Sequence, residues 1–427
     1  MLLLVALAGC SGGSSGSDST APGSAREDDD SATAATMVSV AEPAQSSSPT
    51  EPAETSPPAL AEQCSPAGTP ALAAYELTNG ELRWLRCEAG VGRRSVVAAV
   101  DGFAYLAEQV ADATGAAGAP HLVAIDVANG EPVWEQDIAA VPPGPFVASG
   151  VAVVGVQDAE GRGVMALDPA TGVTVWRQAI DDAAPVAITD SAVVLRTAAP
   201  PAGWTPPVTD PGGSTVAFFR ALDRATGAPT WTAEIVTPLD DDAATFGATV
   251  DGDTVVLLPG PVALDATTGA ELWRTSADLG DAVPGPIADG MVVWGGQDDP
   301  TQGLDQATGG LVWTMPGSPA YDDVWAVGDG AVYVVEVATA ELVAYELEDG
   351  SERWRRPFDG IRNSWPYEVA GGIVFAMWSN LDALSTADGS LLWSTDYPPL
   401  DFPRMTGIAA DDTGVFVALS SVPSAGD

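Results

Sequence analysis

Few side chains of this chain are equipped for chemistry. Among 427 residues there is one histidine, His121, and three cysteines, Cys10, Cys64 and Cys87. A zinc site rich in imidazole needs more than one histidine, and a Ser-His-Asp triad is unsupported by any spacing here. His121 opens an alternating apolar run and reads as a surface residue. Carboxylates abound: 59 Asp and Glu stand against 16 basic residues, all of them Arg, for a net charge of −43. With so many acids, pairs of the kind a glycosidase uses arise by coincidence. Gly-rich stretches such as Gly309-Gly310 close hairpins, whereas a phosphate loop must lead into a helix. No catalytic constellation is legible. The charge argues against nucleic acid, whose binding relies on basic neutralisation of phosphates, and against an anionic lipid surface.

The informative spacing belongs to glycine and tryptophan. Eight times a Gly stands four residues before a Trp: Gly80 before Trp84, Gly130 before Trp134, Gly172 before Trp176, Gly227 before Trp231, Gly269 before Trp273, Gly309 before Trp313, Gly350 before Trp354 and Gly389 before Trp393. Successive Trp residues are 50, 42, 55, 42, 40, 41 and 39 apart. A period near forty marks a repeat architecture. In the clearest copy, Ala166 to Trp176, an apolar strand meets a polar turn and a short strand ending in Trp. The Gly supplies the positive φ of the turn, and the acid four residues before it can accept from turn amides. Trp, large and apolar with one N–H, suits a seam between packed sheets.

A second unit lies between these phrases: a small turn followed by an apolar strand, as in Gly290-Met291-Val292-Val293-Trp294. It also occurs eight times, and a further apolar run such as Val96–Val100 precedes each turn. Each period therefore holds four short strands, A to D, in a meander, which is one propeller blade. The chain enters on a Trp phrase, Leu72 to Trp84, and ends on an A–B pair near Thr406 to Leu419. The expected fold is all-β, an eight-bladed propeller of four-stranded antiparallel blades. Its last blade is built from both termini, which leaves no open ring edge.

The phrase resembles A-x-D-x-x-T-G-x-x-x-W, the tryptophan-docking motif of pyrroloquinoline-quinone-type β-propellers. That superfamily includes quinoprotein dehydrogenases, the propeller lipoprotein of the bacterial barrel-assembly machinery, and sensor propellers of some kinases. The likeness runs from about Leu72 to Leu419. Glu76 and Glu346 replace the Asp, Ser385 replaces it in the last copy, and Gly303 replaces the leading Ala. A quinoprotein would be expected to hold the quinone and calcium in its channel, commonly under a disulfide between adjacent cysteines. This chain has no adjacent pair and no C-x-x-C-H haem segment. The resemblance carries over no catalytic residue, and no cofactor is expected.

Residues 1–9, ending in Leu-Ala-Gly before Cys10, resemble a bacterial lipoprotein signal. The resemblance implies cleavage before Cys10 and a diacylglycerol on its thiol. Residues 10–60 are Ser, Gly, Pro and acid, too polar to offset ordering entropy, and read as a tether with a reach of about 40 Å. Residues 61–427 form the propeller. The implied location is the extracytoplasmic side of the cell membrane. Outside the cell a Cys64–Cys87 disulfide would clip the tether to the closing blade. The all-Arg usage fits a GC-rich genome.

Two periods are long, with their excess between strands B and C, at about Glu108 to Pro120 and Thr197 to Thr215. B–C loops and D–A connectors share one face, so both insertions crown that face. Trp204 lies in the second, within Pro200-Pro201-Ala202-Gly203-Trp204-Thr205-Pro206-Pro207, either as an exposed anchor or as a local core. D–A connectors there are acidic, with Arg93-Arg94 among the exceptions. Asp322, Asp323, Trp365 and Arg404 fall near the channel rim, as solvated turns or as a site for a cation or basic partner. The expected function is non-enzymatic binding or scaffolding of a protein or cell-envelope ligand by a monomer. A ligand sensor and a quinone-dependent dehydrogenase are the alternatives.

Overall fold

The computed structural model describes residues between Ala71 and Ser420. Residues 1–70 and 421–427, and connectors including 198–214, 316–324, 358–367 and 397–403, lie outside the described residues. The described residues form 32 strands in eight four-stranded antiparallel sheets. Blade 1 holds Val91–Val100, Phe103–Ala111, Ala117–Asp126 and Pro132–Asp137 as strands A to D. Six blades of the same meander follow in chain order. Blade 8 takes strands A and B from Arg404–Asp411 and Gly414–Ser420, and strands C and D from Ala71–Glu76 and Leu82–Cys87. Ala71 pairs with Leu419, and Glu76 with Gly414. The ring is thus closed by both termini, as the orphan phrases at the ends require.

The A strands of neighbouring blades touch one another all the way round, including blade 8 against blade 1. They are the inner wall, and the D strands are the rim. The core lies in the seams. Leu72, Ala74 and Phe416 of blade 8 pack with Val96, Leu106 and Ile125 of blade 1. Tyr75, Val415 and Val417, on the other face of blade 8, pack with Phe375 and Leu381 of blade 7. Alternation along each strand feeds two seams at once, which is why B and C strands are apolar on both faces.

Two expectations need correction. The first insertion is mostly strand: Phe103–Ala111 and Ala117–Asp126 extend past the body of blade 1, with 112–116 outside the described residues. Arg93 and Arg94 are not in a connector. They belong to strand A, opposite Gln109 and Glu108, because the lengthened B strand offers them a ladder to join.

Candidate functional site

The Gly–Trp phrase is a docking device, and its partners lie in adjacent blades. Each indole N–H donates to a carbonyl of the next blade. Trp84 donates to Val127 at 2.9 Å, Trp134 to Pro169 at 2.8 Å, Trp176 to Arg224 at 2.8 Å and Trp231 to Ala266 at 2.6 Å. Trp273 donates to Gln306 at 2.7 Å, Trp313 to Leu347 at 2.8 Å and Trp354 to Thr386 at 3.0 Å. Trp393 donates to Leu77 at 2.9 Å, the link that joins the end of the chain to its beginning. Each indole also covers the Gly of the next phrase. A Cβ on Gly172 would lie 2.7 Å from Trp134, and one on Gly80 would lie 2.4 Å from Trp393. So the Gly is needed twice, for its left-handed φ of 69° at Gly172 and for the bare face it offers the indole. Trp134 and Trp231 are half-buried and the other six are buried.

The turns that position these glycines use two chemistries. In blades 2 to 5 the acid and the Thr lock together. Asp168 accepts from the hydroxyl and amide of Thr171 at 2.7 and 2.9 Å, and the pairs Asp223/Thr226, Asp265/Thr268 and Asp305/Thr308 repeat this. The Thr226 hydroxyl and amide hold the Asp223 carboxyl below its ordinary value. In blades 1, 6, 7 and 8 the residue before the Gly does the work: Asn129, Asp349, Asp388 and Asn79 accept from the amide two residues on. The substituted acids Glu76 and Glu346 reach instead for Arg83 and Arg353, at 3.2 and 2.7 Å.

The other candidates are those expected on the face carrying the B–C loops. Trp204, Asp322, Asp323 and Trp365 lie outside the described residues, as do Cys10 and Cys64. Arg404 opens strand A of blade 8, opposite Ser420. Cys87 ends strand D of blade 8, opposite Ala71 where the chain enters the propeller.

His121 departs from the surface reading. It stands between Glu108 and Asp137 in register, and its side chain is 19% exposed. Nδ1 lies 2.9 Å from Asp137 Oδ1 and 3.1 Å from Glu135 Oε1. Extension of the blade 1 hairpin half-buries it, an effect without a local signal. Glu368, the first residue of strand A in blade 7, was also missed. It is half-buried, and burial pushes its carboxyl up to about 8.

The sequence matches the family model described as outer membrane protein assembly factor BamB, over residues 69–201, 214–322 and 302–422. The chain belongs to this family. The match spans all eight blades and begins at the phrase that closes the ring. No curated protein matches the sequence. Among solved structures, the computationally designed Ika8 protein aligns at 14% identity, covering 77% of this chain and 96% of its own, with a TM-score of 0.53. BamB from Moraxella catarrhalis aligns at 16% identity over 77% of this chain and 96% of its own, with a TM-score of 0.47. A quinohemoprotein alcohol dehydrogenase from Comamonas testosteroni aligns at 14% over 86% and 79%, also at 0.47. At these identities such likenesses bear on the fold alone.

Proposed function

We propose that this protein is an exported, lipid-anchored propeller that binds a protein or envelope ligand without catalysing a reaction. The observation that carries the reading is the family match across all eight blades, in a family described as an outer-membrane assembly factor. The repeat motif supports it, because its Trp, Gly and acid residues are all engaged in holding blades together. In this reading residues 1–9 are a signal, Cys10 carries the lipid, 10–60 is the tether and 61–427 is the propeller. Cys64 pairs with Cys87, and the protein acts as a monomer on the extracytoplasmic side. The ligand meets the loop face, with Trp204 as anchor and Asp322, Asp323, Trp365 and Arg404 at the rim.

A quinone with calcium would need anionic oxygen ligands. Among the described residues no cluster of three His, Cys, Asp or Glu is arranged for a metal ion. Glu368 on the channel wall holds its proton to about pH 8, so it is a poor calcium ligand near neutrality. No described residue is assigned to hold the pair, and no step is derived through it.

The test is capture of envelope proteins by the full-length chain. Shortening residues 198–214 should leave the melting curve unchanged and abolish capture. Asp322→Asn with Asp323→Asn should weaken capture of a cationic partner and flatten its salt dependence. Cys10→Ser should move the protein from the detergent to the aqueous phase. Unchanged capture by the shortened loop overturns the reading. So does dye reduction by protein loaded with the quinone and calcium, in the presence of an alcohol or sugar.

A further inference from the structure

The eight blades act as internal controls for one another, and blade 5 departs from the rest at one place. Its strands B and C are Met291–Gly295 and Gln302–Asp305. Aligned by pairing register, the strand B position of Trp294 is aliphatic in every other blade, as Leu106, Val154, Leu195, Leu257, Val334, Ala376 and Val417. The position of Thr301, four residues before the turn acid, is apolar in the other seven, among them Leu72, Leu122, Phe219 and Leu342. The position of Gly303 is Ala in the other seven. One blade has therefore exchanged apolar core for groups that hydrogen-bond.

None of these groups is satisfied. Trp294 Nε1, Gln302 Oε1 and Thr301 Oγ1 are buried and have no hydrogen-bond partner. Trp294 is 2% exposed and Thr301 is 1% exposed. Trp294 and Gln302 are direct cross-strand partners, so their side chains share one face of the sheet. That face meets blade 4, where Trp294 packs with Val256, Ala263 and Trp273, and Ile287 of its own blade joins the same cluster. Thr301, one residue away, points to the opposite face by strand alternation. The face turned to blade 4 across the seam thus carries one orphan donor and one orphan acceptor. A buried donor or acceptor left unpaired carries its full desolvation penalty. An aliphatic pair, as in blade 6 with Val334 opposite Val343, would avoid that penalty.

We propose that this seam is a binding site for a neutral hydroxyl group, which accepts from Trp294 Nε1 and donates to Gln302 Oε1. The chemistry selects that class. The apolar surround disfavours any ion. The indole N–H repels a cation, and a chain of net charge −43 disfavours an anion. A hydroxyl both accepts and donates, which matches one donor and one acceptor on the same face of the sheet. Its source is an internal water or the hydroxyl of a small polyol. The site needs no partner on the loop face, so it stands apart from the function proposed above.

The test uses full-length protein labelled with 15N at the indoles. The 13 tryptophans give one indole signal each. Trp294→Phe assigns the relevant one, and Gln302→Leu, which should shift the same signal, assigns it if the first variant fails to fold. A magnetisation transfer from water to the Trp294 Nε1 proton, unchanged by millimolar glycerol or methyl glucoside, identifies internal water. A saturable shift with either solute identifies a polyol hydroxyl. Both support the site. In thermal melts the double variant should lose less than the sum of the single losses, because one hydroxyl links the two side chains. Absence of both transfer and shift, with single variants as stable as the parent or more so, overturns the proposal.

Discussion

The docking tryptophans show how much one residue carries. Trp176 and Trp273 are buried, cover a glycine of the next blade and donate to its backbone. Removing either ring opens a cavity at a seam and orphans a carbonyl. Trp176→Ala and Trp273→Ala should each cost about 3–5 kcal/mol in chemical denaturation, and a loss within error would place the rings outside the packing. Glu368 makes a separate forecast. Its folded carboxyl is raised from 4.5 to about 8, so the folded state holds the proton more tightly than the unfolded chain. Stability should then be full below about pH 4.5 and fall as pH rises toward about 8. Glu368→Gln, which cannot ionise, should flatten melting temperature across that window.

At the scale of elements, the C–D turn and the bulge beside it set the aim of each indole. The C–D register slips at every blade, for example between Ala124 and Ile125, where Ala124 pairs with Trp134 and Ile125 with Pro132. The bypassed residue is the one before the Trp. Val133, Val175, Leu272, Val312 and Leu392 occupy this position and are 47 to 53% exposed. A bulge re-aims the side chain that follows it, here turning the Trp into the seam. The turn acid holds the start of that strand in place. Because Thr226 keeps the Asp223 carboxyl below 3.8, this bond stabilises above that pH and is lost as pH falls through the lowered value. Thr226→Val should melt earlier than the parent near neutrality, with the gap narrowing as pH falls and the carboxylate is protonated. A gap that holds constant with pH would separate Thr226 from the carboxylate.

At the scale of the molecule, the ring has one seal that differs from the other seams. Strands B and C of blade 8 come from opposite ends of the chain, and Arg83 of strand D joins those ends again by donating to the carbonyl of Thr413, between strands A and B, at 2.9 Å. Trp393 to Leu77 adds the docking link between blades 7 and 8. Deleting residues from Met405 onward removes two strands and exposes the edge of Ala71–Glu76. Such a truncation should lose cooperative unfolding and associate through the bare edge, seen by light scattering. A truncation that melts as the parent does would refute closure by the termini.

The number of blades, the strand order, the closing of the ring by its ends and the seam role of the Trp residues were all legible in the sequence. They rest on local patterns: a Gly four residues before a Trp, alternation along strands, and orphan phrases at the two ends. The identity of each partner was not legible. Gly172 is paired in sequence with Trp176, yet it lies under Trp134, because a Trp on the rim strand reaches the neighbouring blade and not its own turn. The bulge before each Trp leaves no residue signature, since Arg83, Val133 and Thr230 all occupy it. His121 and Glu368 read as ordinary polar residues; the lengthened blade 1 meander covers the first, and burial at the start of a strand raises the carboxyl of the second. The exchange of aliphatic for polar positions in blade 5 stood in plain view. Its meaning required the register that sets Trp294 against Gln302 and the burial that leaves both without partners. Local periodicity decides what a segment becomes, whereas contacts between segments far apart in the chain decide which atoms are left in need of a partner.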